Sequence, residues 1–135
     1  MQTKKPIALI TGASSGIGHS LCEEFAKDGY DLILAARSVE KMQTQGDALQ
    51  KRYGIHVTVI GADLESLSGA EELHAQIKES GVVLNALVNN AGYGTFGEFK
   101  DTALSATLGM MQLNINSVVV LTKLFLPDLL STKGK

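Results

Sequence analysis

The sequence has a single cysteine, Cys22, which excludes a disulfide framework and fits a reducing compartment. It has no excess of either charge: 12 basic residues stand against 14 acidic ones, for a net charge of −2. A general nucleic-acid binder needs a basic patch to displace counterions, so that partner class is not expected. The segment Met1–Lys5 is polar and Pro6 follows, so it does not read as the apolar stretch of a secretory leader. The most apolar window, Leu113–Leu130, contains Asn114, Asn116, Lys123 and Asp128, which makes it a poor match to a membrane span. The expectation is a soluble, cytoplasmic protein without a membrane partner. No metal is expected either, because His19, His56 and His74 are not spaced as a cluster with carboxylates or Cys22. Glu23/Glu24 and Glu71/Glu72 read as solvated helix faces rather than acid–base dyads. No histidine stands near Cys22 and no serine sits on a nucleophile elbow, so covalent hydrolysis has no support.

What the chain does have is alternation. At 135 residues it corresponds to one domain, with no repeat, linker or low-complexity tract. Four short apolar runs, Ile7–Ile10, Leu32–Ala36, Val57–Ile60 and Ala86–Val88, read as strands. They lack a clean polar alternation, which predicts a parallel sheet covered on both faces. Helical patterns separate them. Ile17, Leu21 and Phe25 form the first stripe, closed by Gly29 as a C-terminal cap. Val39, Met42, Leu49 and Tyr53 form the second, with Ser38 as N-cap. Leu67, Ala70, Leu73 and Ile77 form the third, between Ser66 and Gly81. The order β-α-β-α-β-α-β-α predicts right-handed crossovers and a doubly wound α/β fold.

The last helical region, from Leu104 to Leu129, is apolar on more than one face. One face is expected to cover the sheet. Two readings stand for the other, a second subunit or the interior of a larger domain. Gly109 is expected to split the region into two helices, since glycine weakens a helix interior by about 1 kcal/mol.

The stretch Thr11–Gly18, TGASSGIG, lies between the first strand and the first helix. Gly12, Gly16 and Gly18 allow a sharp turn and a close backbone approach. Such a turn aims amide groups, with the helix dipole, at an anion, and Ser14 and Ser15 add hydroxyls. A P-loop is excluded because no Gly-Lys-Ser/Thr follows. In a βαβ setting the loop points to dinucleotide binding.

Thr-Gly-x-x-x-Gly-x-Gly after the first strand and Asn-Asn-Ala-Gly (Asn89–Gly92) after the fourth together resemble the short-chain dehydrogenase/reductase family, over essentially Lys5 to Lys135. The resemblance implies a Rossmann-like sheet of order 3-2-1-4 and hydride transfer between a nicotinamide cofactor and a small carbonyl or alcohol substrate. In that setting Gly12, Ser14, Ser15, Gly16, Ile17 and Gly18 form the phosphate-side loop. The second strand ends in Ala36, where an acid would bind the ribose of NAD, and Arg37 and Ser38 follow. A guanidinium there suits the 2′-phosphate, so NADP is expected over NAD; a solvated Arg37 is the alternative. Asp63 matches the position that bonds the adenine amino group, with Leu64 beside the ring, and Asp63 also suits a turn before the third helix. Asn90, Ala91 and Gly92 are expected near the cofactor, while Asn89 is expected to tie neighbouring strands by backbone hydrogen bonds. Tyr93 and Phe96 are read either as lining a substrate pocket or as loop packing.

The family's chemistry also needs a serine, a Tyr-x-x-x-Lys pair and a helical asparagine. Asn114 matches the asparagine, the alternative being a bond to a helix carbonyl. Asn116 points roughly 200° away round an ideal helix. Tyr30, Tyr53 and Tyr93 are followed four residues on by Leu34, Val57 and Gly97, so the pair is absent. Residues 1–135 are therefore expected to be an incomplete NAD(P)-binding Rossmann domain, cut after its fourth strand and inactive alone. A non-catalytic NADP(H)-binding or regulatory module is the rival reading. The exposed fourth strand and the long C-terminal helix suggest a homo-oligomer.

Overall fold

The computed structural model describes residues 3–135. The elements run β1 (Ile7–Thr11), α1 (Gly16–Lys27), β2 (Asp31–Ala36), α2 (Val39–Tyr53), β3 (Val57–Gly61), α3 (Gly69–Glu79), β4 (Ala86–Val88), α4 (Leu104–Met111) and α5 (Ser117–Thr132). A 3₁₀ turn, Phe99–Asp101, precedes α4, and a π-helical turn, Gln112–Asn116, joins α4 to α5. The strands form one parallel sheet of order 3-2-1-4, with Leu9 paired to Ile33 on one side and to Leu87 on the other. Each crossover is one of the helices, as the alternation of runs predicts.

Successive strand residues serve opposite faces. Ala8, Ile10, Leu32 and Leu34 pack with Cys22, Ala26, Met42 and Leu49 beneath α1 and α2. Leu9, Ile33, Ala35 and Ile60 pack with Leu73, Ile77, Leu121 and Phe125 beneath α3 and α5. Each large side chain so buried contributes about 1.5–3 kcal/mol by leaving water. Helix ends use positive-φ glycines: Gly29 at +80°, Gly54 at +63° and Gly81 at +75°.

Several local expectations are corrected. The face of α1 on the sheet is Gly18, Cys22 and Ala26, one position along from the Ile17–Leu21–Phe25 stripe, and Ile17 is 74% exposed. Small residues win there because α1 lies close to the strands. Leu67 is 87% exposed and precedes α3, whose N-cap is Ser68. Ser38 is at the N-cap position of α2 but its side chain makes no capping bond. Gly109 stays inside α4; the break in α-helical hydrogen bonding falls at the π turn instead.

β4 is the outer strand of the sheet, yet it carries one further rung. Lys135 donates its N–H to the Asn85 carbonyl at 3.0 Å, and Leu87 donates to the Lys135 carbonyl at 2.9 Å. That pattern sets Lys135 beside Ala86 in parallel fashion. Across the α4–α5 region, Leu104–Thr132 is long and apolar enough to cross a membrane by length and composition. Leu121 and Phe125 on it are fully buried against the sheet.

Candidate functional site

A cavity of about 530 Å³ opens along the C-terminal edge of the sheet. Its walls come from the loops after all four strands, which is where open parallel sheets hold ligands. Every residue singled out from the sequence for cofactor binding lines it except Gly18. Gly18 lies underneath and is buried.

The glycine loop is built from exclusion of side chains. A Cβ on Gly12, whose φ is +62°, would sit 2.9 Å from the Ala91 α-carbon. A Cβ on Gly18 would sit 2.1 Å from the Gly12 carbonyl oxygen. Gly16, at φ +57°, has nothing within 4 Å of such an atom, so its glycine answers to backbone conformation and open space. Ser15 is the N-cap residue of α1 and its side chain makes no capping bond. The first amides of α1 therefore have no side-chain cap from Ser15, and Gly16 and Ile17 of that turn line the cavity, a setting that favours an anion.

Thr11 couples this loop to the one after β4. Its hydroxyl donates to the Val88 carbonyl at 3.2 Å and accepts from the backbone amides of Asn90 and Ala91 at 3.1 and 3.0 Å. The Asn90 side-chain amide donates to the carbonyls of Thr11 and Gly12 at 3.1 and 3.2 Å. The Asn90 side chain thus ties the loop after β4 to the end of β1. Asn89 is exposed, and its amide donates to the Thr122 hydroxyl at 3.0 Å, anchoring α5 instead.

At the other end, Arg37 and Ser38 follow β2 on the cavity rim, with Lys41 from the first turn of α2. Among the described residues the ion pairs are Lys27–Glu24, Arg52–Glu23, Lys78–Asp128 and Lys100–Glu98, which leaves Arg37 and Lys41 outside them. Asp63 accepts the Glu65 N–H at 3.1 Å, so one carboxylate oxygen folds its own turn. Leu64 lines the cavity and is 5% exposed, packed in the α3–α5 core.

Asn114, in the π turn, does not line the cavity. Its side chain clasps the backbone of Tyr93, donating to the carbonyl at 2.7 Å and accepting from the N–H at 3.0 Å. It therefore holds the loop after β4 rather than bonding a helix carbonyl. Asn116 donates to Gln112 at 2.8 Å, and Gln112 donates to the Ser66 carbonyl at 3.3 Å. Tyr93 lines the cavity and its hydroxyl donates to Glu65 at 3.0 Å. Its phenol is pushed above the usual value by partial desolvation and by the Glu65 carboxylate, with Arg37 opposing. Phe96, by contrast, is 95% exposed.

Lys41, Glu65 and Leu113 also line the cavity, and the Thr11 hydroxyl ties its two central loops, four roles beyond those expected from the sequence. For Lys41 a signal existed: a lysine in the first turn after Arg37-Ser38. Thr11 opens the Thr-Gly-x-x-x-Gly-x-Gly motif, while nothing local marks Glu65 or Leu113.

The residues fit a nicotinamide dinucleotide: a glycine loop closed to a Cβ at Gly12 and Gly18, and on the same cavity two cations, Arg37 and Lys41, outside any ion pair among the described residues. The comparisons agree. The model of the short chain dehydrogenase family matches residues 6–135, and the chain belongs to that family. It is 33% identical over 128 residues to an uncharacterized oxidoreductase of Bacillus subtilis, covering 94% of this chain and 52% of the relative. An alcohol dehydrogenase from Thermococcus sibiricus, solved with 5-hydroxy-NADP, superposes with a TM-score of 0.90 at 31% identity, covering 97% of this chain and 56% of that one. A short-chain dehydrogenase from Sphingobium yanoikuyae, solved with NADPH, gives 0.87 at 29%, covering 96% and 50%. The chain spans about half the length of the curated relatives it matches.

Proposed function

We propose that this chain is the NADP(H)-binding part of a short-chain oxidoreductase acting on a small carbonyl or alcohol. The observation that carries the reading is Arg37 at the end of β2, on the same cavity as the glycine loop, with Ala36 where an acid would select NAD. Gly12, Ser14, Ser15, Gly16 and Ile17 would hold the pyrophosphate side. Arg37 and Ser38 would hold the 2′-phosphate, Asp63 and Leu64 the adenine, and Asn90–Gly92 the ribose side. The cofactor, when bound, supplies the hydride acceptor or donor. Asn114 acts through the Tyr93 backbone, keeping the Asn90–Gly92 segment against the cavity.

The sequence holds no Tyr-x-x-x-Lys, so the isolated chain is expected to bind cofactor without turnover. The second reading is an NADP(H)-responsive module without catalysis. The cytoplasm, with its reduced thiols, remains the proposed compartment, and a second copy of the chain the proposed partner. Calorimetric titration with NADPH and NADH tests the cofactor assignment. NADPH should bind at least tenfold more tightly, the yield of charge-assisted hydrogen bonds to one phosphate. Equal affinities would sink the assignment. Measurable reduction of carbonyl substrates by the isolated 135-residue chain would sink the claim that it is inactive.

A further inference from the structure

Tyr93 is gripped at both ends. Its backbone is held by Asn114, as described, and its hydroxyl reaches Glu65 at 3.0 Å and lies 3.4 Å from the Ala106 carbonyl of α4. Glu65 belongs to the loop after β3, and its own N–H donates to Asp63. In the sheet, β3 and β4 are the two outer strands, separated by β2 and β1. One side chain therefore joins the loops from opposite ends of the sheet. Both partners line the same cavity, one beside Asp63 and Leu64, the other beside Ala91 and Gly92.

Two glycines keep room for this bridge. A Cβ on Gly109 would fall 2.1 Å from the Glu65 carboxylate and 3.0 Å from the Tyr93 hydroxyl oxygen. A Cβ on Gly92 would fall 2.9 Å from the Asn114 side-chain oxygen. A helix-interior glycine is unfavourable by itself, so its presence in α4 at this contact has a steric reason.

We propose that the Tyr93–Glu65 pair is a strap, and that Tyr93 is a positioning residue that sets the spacing between the adenine-side and ribose-side walls of the cavity. The cofactor-side part of this inference rests on the proposed function. Without the strap the Asn90–Tyr93 segment still closes onto Thr11 and Asn114 but, having lost its tie to the β3 loop, opens from them more often. The walls then drift independently, and a dinucleotide that touches both must order them on binding.

The test compares the full chain with Tyr93→Phe, Glu65→Gln, Glu65→Ala and the double variant Tyr93→Phe/Glu65→Ala. Amide hydrogen exchange is read at Ala91 and Tyr93, whose N–H groups are bonded, with β1 amides as the control for global opening. Tyr93→Phe and Glu65→Ala should each speed exchange about tenfold at those two amides and leave β1 unchanged. Glu65→Gln, which keeps an acceptor oxygen, should stay near the parent. The double variant should be no worse than either single one. NADPH affinity should fall about fivefold in the same variants and recover in Glu65→Gln. Unchanged exchange in Tyr93→Phe, or additive effects in the double variant, overturns the strap. Faster exchange with unchanged NADPH affinity overturns its role in shaping the cofactor site. A parent chain that takes up no NADPH sinks the proposed function, while the exchange arm still decides whether the pair holds the loop.

Discussion

The α-carbon of Gly18 packs against the carbonyl of Gly12 so closely that a Cβ would lie 2.1 Å from that oxygen. The same atom would lie 2.4 Å from the Asn90 side-chain nitrogen that bridges the two cavity loops. Gly18→Ala must therefore displace backbone. A loss of about 3 kcal/mol is expected, together with weaker NADPH binding. Gly16→Ala meets no neighbour and should lose only about 1 kcal/mol, through its positive φ. Denaturant melts of the two variants check the contrast; equal losses would show that conformation, not contact, governs the loop.

Arg37 and Lys41 sit on one rim of the cavity outside any ion pair among the described residues. Arg37→Ala should weaken NADPH binding about tenfold and leave NADH binding unchanged, because only the extra phosphate needs the cation. Lys41→Ala should give a smaller loss, about threefold, since a flexible exposed ammonium acts mainly as a point charge. Fluorescence titration of each cofactor checks both. A loss shared equally by NADPH and NADH would mean that Arg37 supports the loop rather than reads the phosphate.

Much of this was legible from local pattern. The strands were apolar runs, and the glycine loop was a fixed spacing between a strand and a helix. The helix registers were less so. An Ile17–Leu21–Phe25 stripe looks more hydrophobic than Gly18–Cys22–Ala26, yet close approach to the sheet selects the smaller residues. Asn89 and Asn90 are chemically identical neighbours. Only the strand's pleat and the position of Thr11 decide that Asn90 turns toward β1 and Asn89 toward Thr122. The Tyr93–Glu65 bond joins residues 28 apart across two loops, and no periodicity encodes such a contact.

Asp128 holds three elements together. Its carboxylate accepts from Lys78 of α3 at 2.9 and 3.0 Å and from the Leu84 N–H ahead of β4 at 2.9 Å. The Asp128 side chain is 12% exposed and that of Lys78 35%, so the carboxylate is the more desolvated partner. Asp128→Ala strands the Leu84 amide, leaves the Lys78 ammonium only the Val82 carbonyl at 3.0 Å and solvent, and should cost about 2 kcal/mol. Lys78→Met removes the other charge while keeping the stem, leaves Asp128 its backbone donor, and should cost less. Chemical denaturation of both variants checks the order, and a larger loss for Lys78→Met would contradict it.

Cys22 donates to the Gly18 carbonyl at 3.1 Å beneath α1, and burial pushes its thiol up from 9.0 to about 12. The folded chain keeps the proton that the unfolded chain gives up above pH 9, so the unfolded state binds fewer protons there. Stability from this group is complete below pH 9 and falls as pH rises toward 12. The decline should approach about 1.4 kcal/mol per pH unit beyond that of Cys22→Ala, which lacks the group. Thiol reagents at neutral pH should label the native chain only as fast as it opens. Parallel alkaline stability curves for the two proteins would refute the assignment.

The α4–α5 region exposes Leu104, Leu108, Met111, Ile115, Val119, Leu126 and Leu130. They recur at three-, four- and seven-residue steps, while Leu121 and Phe125 face the sheet. A continuous apolar face of this length invites a like surface, and the symmetric solution is a second copy of the chain. Sedimentation should show concentration-dependent association of the parent. Ile115→Glu/Val119→Lys, which places charges at the middle of the face and touches no buried contact, should shift it toward monomer without lowering the melting temperature. A parent that stays monomeric at high concentration would leave the face to some other cover, and association that survives the double substitution would move the interface to the outer edge of β4.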